Sequence, residues 1–292
     1  MKVGVHTLDI THPDKVLFPE SGLTKGDLID YYEQIAPVIL PHLKDRPVSL
    51  QRFPDGIGEQ GFFQKETPDY YPDWIETAEV EKLEEGGIQH QVVVSNVATL
   101  VYLANQAAIT LHAWLSLSGR LDYPDKMIFD LDPPGEDFKV VRDGARTLRE
   151  MLQELGLVPF VKTTGSRGLH VVVPLDQSTD FDKVRDFARG VADALGRREP
   201  ERFTTEVRKE KRAGRLFVDY LRNAYGQTAV APYSVRAKPG ATVATPLEWD
   251  ELGRGDLDSK RYTIKNIFRR LAQKDDPWQD MQAHARPLPE GR

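Results

Sequence analysis

The chain is 292 residues long, contains no cysteine, and carries a formal charge of −6 with 40% hydrophobic and 29% charged residues. Such a composition fits a soluble globular protein of one large or two small domains, and the missing thiols exclude disulfides and thiolate metal sites, leaving oxygen and His ligands. The acidic balance excludes nucleic-acid binding by bulk charge, so any such site must be a local basic patch; no apolar signal segment or membrane-length run is present, and a cytoplasmic location is expected.

Residues 1–23 read as irregular, with Pro13, Pro19 and Gly22. Thr24 opens a helix, with Asp27 placed for a capping box and Leu28, Tyr32 and Ile35 as its apolar stripe. Lys25 falls in the first turn, where it opposes the helix dipole. It is either a solvated lysine or the mark of an anion nearby. Val48–Phe53 alternates as a strand and ends in the turn Pro54-Asp55-Gly56. Next comes Gly61-Phe62-Phe63-Gln64-Lys65. Two adjacent aromatics cannot share one core face, so either both find packing or an exposed ring beside Lys65 suits base stacking.

A hairpin is expected from 77–83 and 88–94 around Glu84-Glu85-Gly86-Gly87. Asn96 then caps a predicted helix reaching Ser116, with Leu100, Leu103, Ala107, Leu111 and Trp114 as its stripe and His112 near its end. Met127-Ile128-Phe129-Asp130-Leu131-Asp132-Pro133-Pro134 follows as a strand closed by a stiff turn. Its alternation puts Ile128, Asp130 and Asp132 on one face. Two acids on an apolar strand are costly to bury unless neutralised. A divalent cation does this with carboxylate ligands; alternatively, Asp132 merely caps a turn.

A helix over 138–155 ends at Gly156, a plausible C′ residue. A strand over 159–164 leads through Gly165-Ser166-Arg167-Gly168 into a strand over 169–174, with His170 emerging beside the loop. Such a loop can offer backbone N–H groups to phosphate or simply serve a hairpin. A helix over 181–195 is expected, then a hairpin of 204–211 and 215–220 turning at Ala213-Gly214. Its basic residues Arg208, Lys209, Lys211, Arg212 and Arg215 are either a solvated turn or a nucleic-acid track. Asp219 interrupts the apolar Leu216-Phe217-Val218. A strand over 225–234, a loop over 235–240, a helix over 262–271 and a Pro-rich tail complete the chain.

Asp130, Asp132, His170 and Asp219 lie far apart in sequence, so only a sheet can gather them. Three carboxylates can hold two divalent cations roughly 3.5–4 Å apart, suited to in-line attack at phosphorus. Ser166, His170, Arg222 and Arg236 would then be donors toward a triphosphate. No Gly-x-x-x-x-Gly-Lys-Ser/Thr motif occurs.

Asp130-Leu131-Asp132-Pro133-Pro134, Gly165-Ser166-Arg167-Gly168-Leu169-His170 and Phe217-Val218-Asp219-Tyr220-Leu221-Arg222-Asn223 resemble the three motifs of the archaeo-eukaryotic primase superfamily. More narrowly, the chain resembles the polymerase domain of bacterial ATP-dependent DNA ligase D. His12-Pro13-Asp14-Lys15, Leu111-His112-Ala113-Trp114 and Ala231-Pro232-Tyr233-Ser234-Val235-Arg236-Ala237 extend the likeness over nearly the whole chain.

The resemblance implies an α+β fold: a core of antiparallel sheet like an RNA-recognition motif (RRM-like), flanked by helices, with an N-terminal α/β extension packed on it. One domain over 1–292 is expected, divided into a DNA-end-binding part (1–120), a catalytic core (121–275) and a tail (276–292). It also implies template-dependent and terminal nucleotidyl transfer, with ribonucleotides preferred, at gaps and breaks in non-homologous end joining. The implied cofactors are two manganese or magnesium ions on Asp130, Asp132 and Asp219, and the substrates NTP or dNTP.

Ser166, His170, Arg222, Arg236 and Lys238 would contact the nucleotide, with His112 near its sugar and Arg52 close by. Lys15 and Lys25 would grip a 5′-phosphate, and Phe62, Phe63 and Lys65 would meet DNA. Expected partners are DNA ends, Ku and a DNA ligase, with no membrane, for a monomer associated with the nucleoid. Gln51 departs from a position that is often basic in relatives, and no Lys-x-Asp-Gly ligase motif is present. The rival readings are a metal-dependent phosphoesterase or nuclease and a non-catalytic end-binding module.

Overall fold

The computed structural model describes residues 1–82 and 85–289. The chain forms two compact units: Met1–Gly119, Thr228–Ala244 and Tyr262–Ala272 make the first, and Arg120–Gln227, Thr245–Arg261 and Gln273–Arg292 the second. The expected 121–275 core is not one piece, because 228–244 and 262–272 belong with the N-terminal unit. Among the described residues no helix is long and apolar enough to cross a membrane.

In the first unit, the helix Lys25–Leu43 begins with the expected capping box. The Asp27 amide donates to Thr24 Oγ1 at 3.2 Å, and the Asp27 carboxylate accepts from the Thr24 amide at 2.7 Å. Leu28, Tyr32 and Ile35 are buried as the helical spacing requires. The Tyr32 hydroxyl escapes an unpaired burial by donating to Ile109 O at 2.7 Å. A four-stranded antiparallel sheet runs in the order Thr228–Val230, Ala108–Trp114, Val48–Arg52, Phe62–Gln64. The hairpin Thr77–Glu81 with Ile88–Val92 is present; Leu83 and Glu84 lie outside the described residues.

Four expectations for this unit are corrected. The helix from Asn96 ends at Asn105. Ala107 takes φ +56° and turns the chain into the strand Ala108–Trp114. The stripe Leu100, Leu103, Ala107, Leu111 and Trp114 is buried throughout, but pairing on both strand edges outweighs local helix propensity beyond Asn105. His112 therefore sits mid-strand, opposite Ser49 and Val230. The 225–234 strand shortens to Thr228–Val230. The last helix is only Ile267–Leu271, because the backbone of 262–264 bonds to 241–243 instead (Val243 N to Tyr262 O, 2.8 Å; Ile264 N to Ala241 O, 3.1 Å). Residues 1–23 are not wholly irregular: Val16–Phe18 pairs with Leu23–Thr24.

The second unit holds a six-stranded sheet in the order Phe203–Thr204, Leu216–Asp219, Lys126–Asp132, Leu169–Pro174, Phe160–Thr163, Pro246–Leu247. Every pairing is antiparallel except the first. The helix Phe138–Glu154 buries Val141, Ala145, Leu148 and Leu152, spaced for one face. It approaches the sheet so closely at Gly144 that an added Cβ would lie 2.3 Å from Leu216 Cδ2. The helix Phe181–Arg198 packs beside it.

The expected 204–220 hairpin is wrong. Phe203–Thr204 runs parallel to its neighbour, and a parallel pair cannot be joined by a tight turn. The intervening loop is closed by Arg212, whose guanidinium donates to Glu206 O and Val207 O at 3.0 and 2.9 Å and lies 3.8 Å from the Phe217 ring centroid. Trp278 anchors the start of the expected tail. Trp278 is buried and its indole N–H donates to Val161 O at 3.2 Å.

Candidate functional site

The second unit's sheet carries a transverse row of charge. Across adjacent antiparallel strands Lys162 faces His170, His170 faces Asp130, and Asp130 faces Asp219. Paired residues point to one face, so the four side chains share it with Asp132, two positions from Asp130. Like charges directly opposite destabilise a sheet. The opposition of Asp130 and Asp219 is therefore a cost that something else must meet.

Part of that compensation is Arg222. Asp219 Oδ1 accepts from the Leu221 amide at 2.8 Å, turning the chain just past the strand. Asn223 then docks on the backbone of Ile128, accepting from its amide at 2.8 Å and donating to its carbonyl at 2.7 Å. This turn returns Arg222 Nε to within 3.0 Å of Asp130 Oδ2. His170 Nε2 lies 3.4 Å from the same oxygen.

Asp130 is 7% exposed. Burial alone would raise its carboxyl, but His170 and Arg222 outweigh it and hold Asp130 well below the usual carboxylate range. His170 is pushed down to about 4 by burial and by Lys162. It is thus uncharged at neutral pH, and Arg222 remains as the positive partner of Asp130. Asp132 and Asp219 are both pushed up, by burial first; Asp130 adds to each shift.

Among the described residues no three Asp, Glu or His side chains converge as a formed metal shell. The donor set nevertheless fits a divalent cation. Burial first, and then Asp130, push two of its three carboxylates up, and a cation would relieve both the desolvation and the mutual repulsion.

The loop after Phe160–Thr163 is rigid. Thr164 Oγ1 accepts from the amides of Ser166 and Gly168, each at 3.2 Å. Ser259 Oγ clamps the same loop through Gly168 O at 2.8 Å. These two amides turn inward, so the expected backbone phosphate cradle is not available from them. What the loop turns outward is the half-buried Ser166 and the exposed Arg167. Gly168 is the contact point: a Cβ there would lie 2.1 Å from Leu131 O, between the two acids.

The first unit gathers its own groups. Lys25 is only 5% exposed, which removes the solvated reading. Its Nζ donates to Thr11 Oγ1 at 3.0 Å and Asn105 O at 3.2 Å. The Lys25 amide donates to Lys15 O at 2.8 Å, so the two lysines meet at the helix start, and burial and the charge of Lys15 both lower the Lys25 ammonium. Lys15 pairs with Asp55 at 2.6 Å.

Phe62 and Phe63 are 47% and 59% exposed, so the packed alternative fails for both. Phe63 meets His112 edge-on at 5.4 Å. Lys65 is exposed. Arg52 is buried, and its Nη1 donates to Gln64 Oε1 at 2.6 Å. Arg236 is half-buried and Lys238 exposed, on the loop after Ser234.

Lys162 escaped the sequence reading, and Arg167 and Asn223 were named there only within motifs, without a role of their own. Asn223 stands inside a quoted motif, but its role is backbone docking, which only register reveals.

A family model described as LigD, primase-polymerase domain, matches residues 24–278. The multifunctional non-homologous end joining protein LigD of Pseudomonas aeruginosa is 34% identical over 274 residues, covering 93% of this chain and 32% of that protein. The bifunctional non-homologous end joining protein LigD of Bacillus subtilis is 33% identical over 276 residues, covering 94% and 44%. The chain thus spans less than half the length of these relatives. In structure it is similar to the polymerase domain from Mycobacterium tuberculosis ligase D in complex with DNA, with a TM-score of 0.88, 32% identity, and coverage of 96% of this chain and 99% of that one.

Proposed function

Because the chain belongs to the LigD primase-polymerase family, we propose that it is a nucleotidyltransferase that extends 3′-hydroxyl ends of DNA at gaps and double-strand breaks in non-homologous end joining. It acts with or without a template and prefers ribonucleotides. The observation that carries this reading is the register that sets Asp130 opposite both Asp219 and His170.

Asp130, Asp132 and Asp219 would hold two divalent cations, manganese or magnesium. When bound, these supply a more acidic 3′-hydroxyl and neutralise the triphosphate. Arg222 keeps Asp130 ionised and presents a donor at the edge of the carboxylate row. His170, being neutral, donates a hydrogen bond without adding to the site's charge. Ser166 extends this donor set; Arg236, Lys238, Arg52 and His112 complete the proposed nucleotide contacts. Lys15 and Lys25 take a 5′-phosphate, and Phe62, Phe63 and Lys65 meet the DNA strand. Ku and a DNA ligase are the proposed partners of a monomeric chain.

The test offers a gapped duplex, labelled ribonucleoside triphosphate and manganese. Label is expected on the 3′ strand. The double variant Lys15→Ala, Lys25→Ala is expected to weaken binding to a 5′-phosphorylated gap roughly tenfold or more, on the scale of charged hydrogen bonds. A gap without the phosphate should bind almost as before. Equal loss on both substrates contradicts the phosphate pocket, and no transfer of label contradicts the activity.

A further inference from the structure

Tyr70 is 63% exposed, yet its surroundings hold it firmly. Its hydroxyl accepts from Arg52 Nη1 at 3.1 Å. Its ring meets Tyr71 edge-on at 5.3 Å. Tyr71 is buried in turn: it accepts from Gln64 Nε2 at 3.1 Å and packs edge-on against Tyr102 at 5.0 Å. Arg52 is anchored from below by donating to Gln106 O at 2.8 Å. The same guanidinium lies 5.4 Å from the centroid of the Phe62 ring. Two exposed rings, Phe62 and Tyr70, therefore flank one fixed guanidinium.

Holding a ring still while leaving its face in water costs side-chain entropy and recovers little hydrophobic free energy. That expense is recovered when a flat partner arrives, since the ordering is already done. Flat partners that favour aromatic faces beside fixed cations are unpaired nucleobases, with Arg52 and Lys65 supplying positive charge nearby.

We propose that Tyr70 is a third stacking position, continuous with Phe62, that receives a further unpaired base of the single-stranded DNA. This rests on the reading of Phe62 and Phe63 as base platforms. Arg52 is then a positioning residue for both rings.

The test measures fluorescence-anisotropy affinities for two gapped duplexes, one with a single unpaired template nucleotide and one with four. Tyr70→Ala is expected to weaken binding to the longer gap about tenfold, the scale of one lost base–aromatic stack, and to leave the single-nucleotide gap within twofold. Tyr70→Phe keeps the ring and should stay within twofold on both. Phe63→Ala is the control and should weaken both.

If Phe63→Ala weakens binding and Tyr70→Ala does not, the Tyr70 position is overturned and the platform reading stands. If neither variant matters, the platform reading falls first. Equal losses from Tyr70→Ala on both duplexes, or equal losses from Tyr70→Phe and Tyr70→Ala, mark a structural role and overturn the proposal.

Discussion

Replacing Asp130 with alanine is expected to lower the rate of nucleotide transfer by at least about a thousandfold. Asp130 is the hub of the row: it faces His170 on one strand and Asp219 on the other, and it accepts from Arg222 Nε at 3.0 Å. Losing a cation ligand forfeits several kcal/mol of charge stabilisation, and each 1.36 kcal/mol is tenfold in rate. The fold should survive. The substitution removes a like-charge opposition with Asp219 while it takes one carboxylate from Arg222, whose side chain is partly exposed and can reach water. DNA-end binding is expected to hold, because Lys15, Lys25, Phe62 and Phe63 belong to the first unit. Initial rates of label transfer with manganese, beside end-binding affinity, measure both. A variant of undiminished rate contradicts the assignment.

Gly168→Ala is expected to cost about 3 kcal/mol of stability, the upper end of overpacking penalties. The added Cβ would meet Leu131 O at 2.1 Å, a backbone atom with no soft end to yield. Leu131 is paired on both sides, with Leu169 and Val218, so relief must displace a strand that carries Asp130 and Asp132. Melting temperature should fall by on the order of 5 °C, from an unfolding entropy of about 2.1 cal/mol/K per residue, and activity should fall further than stability. Gly190→Ala is the control. It meets nothing within 4 Å, lies in the helix Phe181–Arg198, and should stabilise slightly.

The acid-bearing strand was legible because its alternation is clean and Pro133-Pro134 ends it. The capping box at Thr24 and the helices after Pro134 and Asp180 were legible for the same reason: one local period, with a cap at its start. Residues 108–114 were not. Alanine and leucine at helical spacing fit either element, and the decision is made by strands drawn from elsewhere in the chain. The basic run at 205–215 misled in another way. Its turn residues, Ala213 and Gly214, do adopt positive φ, but the strands around them run parallel. The three aspartates could be picked out by type, while the grip of Arg222 on Asp130 needed the turn built by Asn223. Lys162 joins the row only through register, which no local pattern records.

The most direct measurement follows the length of the recessed strand of a 3′-recessed duplex over time, with nucleoside triphosphate and manganese present. The account predicts stepwise lengthening toward the template end. A strand that shortens would mean that the carboxylate row activates water for hydrolysis, and would contradict nucleotidyl transfer.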